Sequence, residues 1–277
     1  MKAAPFSYRR AQTLEEALLA GGENARFLAG GQSLLPMMNL RVTWADTVVD
    51  LSTLEELRRC RREGDRAFIG AGVTHAMIED VRIDDPSRGY LPHVAAGIAY
   101  RSVRNRGTLG GSLVHADPAA DWPTALLALG AEVAVKGAGG ERRMPLAEFQ
   151  RGLMETALEE GEILTGVSVP VLSSRARWSY LKFCRKSGEF AHSIAAMVCD
   201  PERGLGEAVL GAAADKPRRL PRLSALLAAG ERPGGTELTQ AADDDVQEVT
   251  GLERASYPFH LHRTMILRAW ARLKELA

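Results

Sequence analysis

The stretch that most restricts the fold is Arg104–Pro123, RNRGTLGGSLVHADPAADWP. Ile98 and Val103 precede its glycine-rich centre, Gly107-Thr108-Leu109-Gly110-Gly111-Ser112, and acids follow at Asp117 and Asp121 ahead of a helix-like apolar run near Ala125. Adjacent glycines with hydroxyl neighbours let backbone N–H groups converge on an anion, because no Cβ blocks close approach. Phe27–Ser33, FLAGGQS, carries the same chemistry. Each stretch lies between an apolar run and a helix-like segment. The pair therefore points to a ligand with more than one phosphate; the alternative is two ordinary tight turns. No Lys-Ser/Thr follows either glycine pair, which excludes a P-loop, and no G-x-G-x-x-G opens a helix after a first strand, which argues against a dinucleotide site of the Rossmann kind.

Around these stretches the chain reads as mixed helices and strands. Thr13 and Glu16 form a capping box that starts a helix near Leu14, ended by Gly21-Gly22. Arg26–Ala29 is a strand running into Gly30-Gly31. Ser33 is placed to cap a helical turn through Leu34, Leu35 and Met38, which would bring helix N–H groups beside the glycines. Thr47–Leu51 is a buried strand, and Ser52 with Glu55 is a second capping box. The basic run Arg58–Arg62 reads as a solvated surface segment at a subdomain boundary. Strands follow at Ala67–Ala71, Glu132–Val135 and Glu162–Val169, and helices at Thr74–Val81, Leu91–Ala99 and Thr124–Leu129. Gly137–Gly140 is a hairpin turn. After a linker at Ser173–Arg177 the rhythm changes: Trp178–Cys184, Ile194–Cys199 and Glu207–Ala212 are successive strands of an antiparallel sheet. Helices at Leu223–Ala229 and His260–Leu276 close the chain.

Composition narrows the class. Lys+Arg and Asp+Glu balance at 35 each, so charge offers no nucleic-acid footprint. The three cysteines, Cys60, Cys184 and Cys199, are scattered, fit no iron–sulfur spacing and point to buried thiols in a reducing compartment. No apolar run approaches the ~20 residues of a membrane span, and the N-terminus has no secretory core. The expectation is a soluble, cytoplasmic protein.

Few side chains invite catalysis. His115-Ala116-Asp117 has no third ligand at recognisable spacing, so no metal site is expected. Ser33, Ser112 and Ser193 lack a nucleophile elbow. Asp121 either reaches a ribose hydroxyl or caps the Thr124–Leu129 helix. Lys182, between Leu181 and Phe183, either snorkels to solvent or meets an anion. His75 and His93 read as structural.

AGGQSLLPMMNLR (Ala29–Arg41) and RNRGTLGGSLVHADPAADWP closely resemble the FAD-binding medium subunit of the molybdenum hydroxylases, the family of carbon monoxide dehydrogenase and xanthine dehydrogenase. GEILTGVSVP (Gly161–Pro170) and KFCRKSGEFA (Lys182–Ala191) resemble it too, so the likeness covers essentially the whole chain. It implies an α+β fold in which a two-lobed FAD-binding domain of the PCMH/VAO-like kind, residues 1–57 and 58–172, precedes a C-terminal domain, 173–277, with a three-stranded antiparallel sheet and helices. Carried over, Leu28, Ala29, Gly30, Gly31, Gln32 and Ser33, with Thr108, Gly110, Gly111 and Ser112, wrap the FAD pyrophosphate. Asp121 meets the ribose or ribityl region, Leu164 packs at the adenine end and Lys182 lies near the flavin. Trp122 departs from the smaller apolar residue common there, and Ser112 from the Asn of some members. The resemblance implies electron transfer rather than substrate chemistry. A large molybdopterin-binding subunit would hold the substrate site. A small subunit would carry the 2Fe–2S clusters that feed this flavin, in a dimer of heterotrimers. Quinone, oxygen or NAD would be the acceptor. The competing readings are a self-contained FAD-dependent oxidase and a non-enzymatic nucleotide-binding module.

Overall fold

Three short parallel strands begin the chain: β1 (Ser7–Arg10), β2 (Ala25–Leu28) and β3 (Thr47–Asp50), in the order β1-β3-β2. Parallel neighbours need crossovers, supplied by the helices α1 (Leu14–Ala20) and α2 (Leu34–Asn39). Thr13 caps α1 through its hydroxyl, as its spacing from Glu16 predicts. In central β3 the period of two sends Val48 and Val49 to opposite sides. Val49 packs with Leu14, Ala17 and Leu57, and Val48 with Met38 and Ala45. The coordinates, a computed structural model, describe residues 1–231 and 233–275; the expected helix end at Leu276 lies outside them.

A five-stranded antiparallel sheet follows, from β4 (Cys60–Glu63), β5 (Arg66–Gly70), β6 (Glu132–Gly137), β7 (Gly140–Pro145) and β10 (Ile163–Pro170), in the order β4-β5-β10-β6-β7. Between β5 and β6 run α3 (His75–Glu79), α4 (Tyr90–Ala96), α5 (Arg101–Arg104), α6 (Leu109–His115) and α7 (Asp121–Ala128). The short α8 (Leu146–Phe149) and a two-stranded ribbon of β8 (Gln150–Gly152) and β9 (Glu155–Thr156) fill the connection to β10. The basic run Arg58–Arg62 is solvated as expected, with all four arginines exposed; within it Cys60–Glu63 forms an edge strand, and the Arg61 guanidinium lies 4.0 Å from the Phe68 ring. One expectation is corrected here. Glu55–Arg58 is a 3₁₀ turn preceded by Leu54, and no side chain caps it, so the Ser52/Glu55 box does not form.

The last sheet is antiparallel, β11 (Arg177–Phe183), β12 (Ser193–Asp200) and β13 (Leu205–Gly211), with a two-residue fourth strand, β14 (Arg218–Arg219), beyond the three expected. All eight residues of β12 are buried. The cause is packing on both faces. Ile194, Ala196 and Val198 join Tyr180 against the core around α4 and α7. Ala195, Met197 and Cys199 join Leu181 against α9 (Pro221–Ala228), α10 (Gly235–Thr250) and α11 (Tyr257–Glu275). The helix α10 is absent from the sequence reading, because acids dominate its composition (Asp243-Asp244-Asp245) and its apolar face is narrow. Asp245 nonetheless is fully buried: its carboxylate accepts from the Arg222 and Leu223 N–H groups and so caps α9 from a neighbouring helix.

Candidate functional site: a cleft between the glycine turns

The two glycine stretches meet backbone to backbone. A Cβ on Gly30 would lie 2.0 Å from the Arg106 carbonyl oxygen and 2.9 Å from Gly107 Cα. A Cβ on Gly110 would lie 2.5 Å from Ala71 Cβ. These glycines are therefore required by packing of one turn on the other and of α6 on the end of β5. Beside the junction opens a cleft of about 240 Å³. Ala29, Gly30, Thr108, Gly110, Gly111 and Leu164 line it, with Leu51, Leu57 and Ile163 at its apolar part. The bulge in β10 between Leu164 and Gly166 gives this corner its shape. Leu28 ends β2 behind the turn, and Gly31, Gln32, Ser33 and Ser112 continue from the lining residues without themselves forming the wall.

The two turns differ in what they offer. In the first, the N–H groups of Gly30, Gly31, Gln32 and Ser33 find no acceptor among the described residues, while the Gln32 side-chain amide donates to the Gly30 carbonyl at 3.1 Å and closes the turn. Gly31 sits at φ +72°, a conformation that suits glycine. Ser33 is αR and its side chain caps nothing, against expectation, so its hydroxyl stays free. In the second, the N–H groups are engaged. Leu109 donates to Val73 O, Gly110 to Ala71 O, Gly111 to Thr108 Oγ1 and Ser112 to Thr108 O, at 2.9 to 3.1 Å. Gly110 and Gly111 lie inside the first turn of α6 rather than in an open loop, with Thr108 as its cap. The expected symmetry of two anion-binding loops is thus corrected: one presents a row of free donors, the other a capped helix start.

Asp121 and Lys182 lie away from that wall, between α7 and β11. Asp121 is the first residue of α7; the cap is Ala120, so the capping role does not hold. Its carboxylate accepts from Tyr180 OH at 2.7 Å and from Lys182 Nζ at 3.0 Å. Lys182 also donates to Gly97 O at 2.7 Å, so its ammonium meets an anion rather than solvent. Tyr180 and Lys182 alternate on the β11 face that looks toward α4 and α7. Burial pushes the Asp121 carboxyl above the usual range, against the downward pull of Lys182 and Tyr180. Burial likewise raises the Tyr180 phenol, and Asp121 adds to it.

Trp122, fully buried, donates its Nε1–H to His75 Nδ1 at 2.9 Å. That bond keeps His75 neutral and leaves its proton on Nε2, which faces Gly107: a Cβ there would lie 2.8 Å away. The His75 N–H donates to the Gly107 carbonyl at 2.9 Å. Burial, with Arg104 adding to it, lowers the His75 pKa to about 4. His75 and Trp122 thus brace the second turn from behind; the structural reading of His75 holds, while its partner, 47 residues away, was not signalled by the sequence. Arg58, Ser52, Thr74, Asn105 and Arg106 also line the cleft and were not among the expected site residues.

A wider groove of about 880 Å³, between α7–α8 and β13–β14, contains none of the expected residues, and its Glu207–Arg219 pair is self-neutralised. Among the described residues no three His, Cys, Asp or Glu side chains form a metal-ligand cluster, and no helix is long and apolar enough to cross a membrane. The free donor row at Gly30–Ser33, the close junction of the turns and the apolar corner at Leu164 together suit a phosphate-bearing group with an apolar neighbour.

Residues 4–172 match the family described as the FAD binding domain in molybdopterin dehydrogenase. The chain is 34% identical over 271 residues to the nicotine 6-hydroxylase medium subunit of Paenarthrobacter nicotinovorans, covering 95% of this chain and 91% of that one. It is 36% identical over 196 residues to the carbon monoxide dehydrogenase medium chain of Hydrogenophaga pseudoflava, covering 70% and 68%. A chain of the reconstituted CO dehydrogenase from Oligotropha carboxidovorans superposes with a TM-score of 0.91 at 28% identity, over the whole of both chains. Cleft, sheets and relatives agree: the chain is an oxidoreductase subunit that belongs to the FAD-binding medium-subunit family of the molybdenum hydroxylases.

Proposed function

We propose that this chain carries the flavin of a multisubunit molybdenum hydroxylase, taking electrons from 2Fe–2S clusters in a small partner subunit and delivering them to an external acceptor. A large molybdopterin-binding partner would hold the substrate, in a cytoplasmic dimer of heterotrimers. The observation that carries the reading is the free N–H row of Gly30–Ser33 beside the cleft, which favours a diphosphate without requiring a lysine. In this proposal Leu28–Ser33 hold the diphosphate, Thr108, Gly110, Gly111 and Ser112 shape the opposite wall and add hydroxyls, and Leu164 meets the adenine. Asp121 and Lys182, already joined to each other, orient the ribityl and flavin side. Bound FAD supplies the redox chemistry, while the chain binds it, orients it and sets its electrostatic surroundings. The division at residues 1–57, 58–172 and 173–277 belongs to the same proposal. It is supported by the change of sheet between Asp50 and Cys60 and by the start of the last sheet at Arg177.

The test is an absorption spectrum with metal analysis on material purified through a tag on this chain. Flavin bands with molybdenum, iron and two further polypeptides are the expected result. Flavin in a lone chain that turns over an organic substrate by itself would replace this reading with that of a self-contained oxidase.

A further inference from the structure

Among the described residues, three charged side chains line the cleft: Arg58, Arg106 and Glu162. Glu162 is already neutralised, because Arg142 donates to both of its oxygens at 2.9 and 2.6 Å. Several arginines outside the cleft lining are engaged in the same way. Arg101 and Arg104 hold Glu79 and Asp80, and Arg61 and Arg143 hold Glu63. Arg58 and Arg106 differ: both are exposed, and among the described residues neither meets a carboxylate. The charged groups lining the cleft thus leave two positive charges unanswered.

We infer that Arg58 and Arg106 are the charged ligands of the cofactor's diphosphate, one from each wall of the cleft. The inference rests on the FAD reading above and specifies how that site holds its anion. The reason lies in the asymmetry of the two glycine turns. The Leu109–Ser112 N–H groups already have acceptors, and α6 is only seven residues long, so that wall has little backbone charge to offer. Arg106, one residue before Gly107, supplies it. Its carbonyl is clamped against Gly30, which fixes the backbone from which the side chain projects. On the other wall, Arg58 is pinned by its Nη2–H to the Ser52 carbonyl at 2.7 Å, which leaves Nε and Nη1 free. A diphosphate bears two negative charges, and the pair matches them. Guanidinium groups suit this task because their planar fork donates to phosphate oxygens in pairs.

The experiment measures FAD affinity by flavin fluorescence on the full chain with whatever subunits copurify, stripped of flavin, across a range of salt concentrations. ADP and riboflavin serve as probes of the two halves of the cofactor. Arg58→Gln and Arg106→Gln are each expected to weaken FAD and ADP by about tenfold, the effect of losing a charge-assisted hydrogen bond. They are also expected to flatten the salt dependence, since fewer charges remain to be screened. Arg106→Lys is expected to restore the salt dependence in part. Riboflavin, which has no phosphate, should bind these variants and the wild type alike. Glutamine variants with wild-type FAD affinity and salt dependence would overturn the inference and leave the FAD reading standing. Variants that lose riboflavin as strongly as FAD would overturn it too, because the arginines would then be structural. A wild-type chain that binds no FAD would overturn both.

Discussion

At the scale of single residues, the glycines of the site divide by what surrounds them. Gly30 has no room for any side chain, with a backbone carbonyl 2.0 Å from where its Cβ would be, whereas Gly139 has nothing within 4 Å. Gly30→Ala is therefore expected to cost about 3 kcal/mol or more, since the clash is with backbone that cannot swing aside. Gly139→Ala should be near neutral, and thermal melts of the two variants check the contrast. At Gly111 the nearest atom is the capping Thr108 Oγ1, 2.8 Å away, so an alanine there disturbs the cap of α6 as well as entering the cleft. The neutral His75 gives a pH signature. Its folded pKa of about 4 lies below the ordinary histidine value of 6.5, so the unfolded chain binds the extra proton between these values. Stability should thus fall as pH drops from 6.5 toward 4, by about 3 kcal/mol for this group alone. A denaturant series across that range, with His75→Gln as reference, should show the slope in the wild type and its reduction in the variant.

At the scale of elements, β11 is where alternation becomes function. Trp178, Tyr180 and Lys182 share the face toward α4 and α7, and Leu181 points to the opposite core. The Asp121–Lys182 pair thereby ties the last sheet to α7, at 7% and 11% side-chain exposure. Removing one partner leaves the other buried and unmatched, so Asp121→Ala should cost about 3 to 5 kcal/mol. The double variant Asp121→Ala with Lys182→Met should cost less than the two single variants added together, because it removes both charges at once. A double-mutant cycle by chemical denaturation measures the coupling; strictly additive costs would show that the two groups do not act as a pair. The same logic applies to α10, whose Asp245 caps α9 and binds Arg222.

At the scale of the whole molecule, the cleft draws its walls from residues far apart in sequence. Ala29 and Gly30 follow β2, Leu51 and Leu57 surround the 3₁₀ turn, Gly110 and Gly111 open α6, and Leu164 lies in β10. A ligand bound only when these are assembled stabilises the assembly. FAD at a hundredfold excess over its dissociation constant should therefore raise the unfolding free energy by about 2.7 kcal/mol, seen as a higher melting temperature. A melting temperature indifferent to added FAD would count against the cofactor's place in this cleft.

Consecutive residues were enough to determine most helices and strands, because capping boxes, β-branched runs and glycine punctuation act within a few positions. Glycine punctuation likewise marked the two glycine stretches as candidates, while their likeness to a known family named the cofactor and alone pointed to Leu164. Only the tertiary structure decided which donors remain free. The Gly30–Ser33 N–H groups are open and those of Leu109–Ser112 closed, because Ala71, Val73 and Thr108 supply acceptors to the second set alone. It also decided that Asp121 meets Lys182 across 61 residues, that Trp122 meets His75 across 47, and that Arg58 and Arg106 stand on one cleft. Such pairings depend on how sheets and helices stack. Stacking is set by the summed burial of many side chains, and no short stretch of sequence contains that sum.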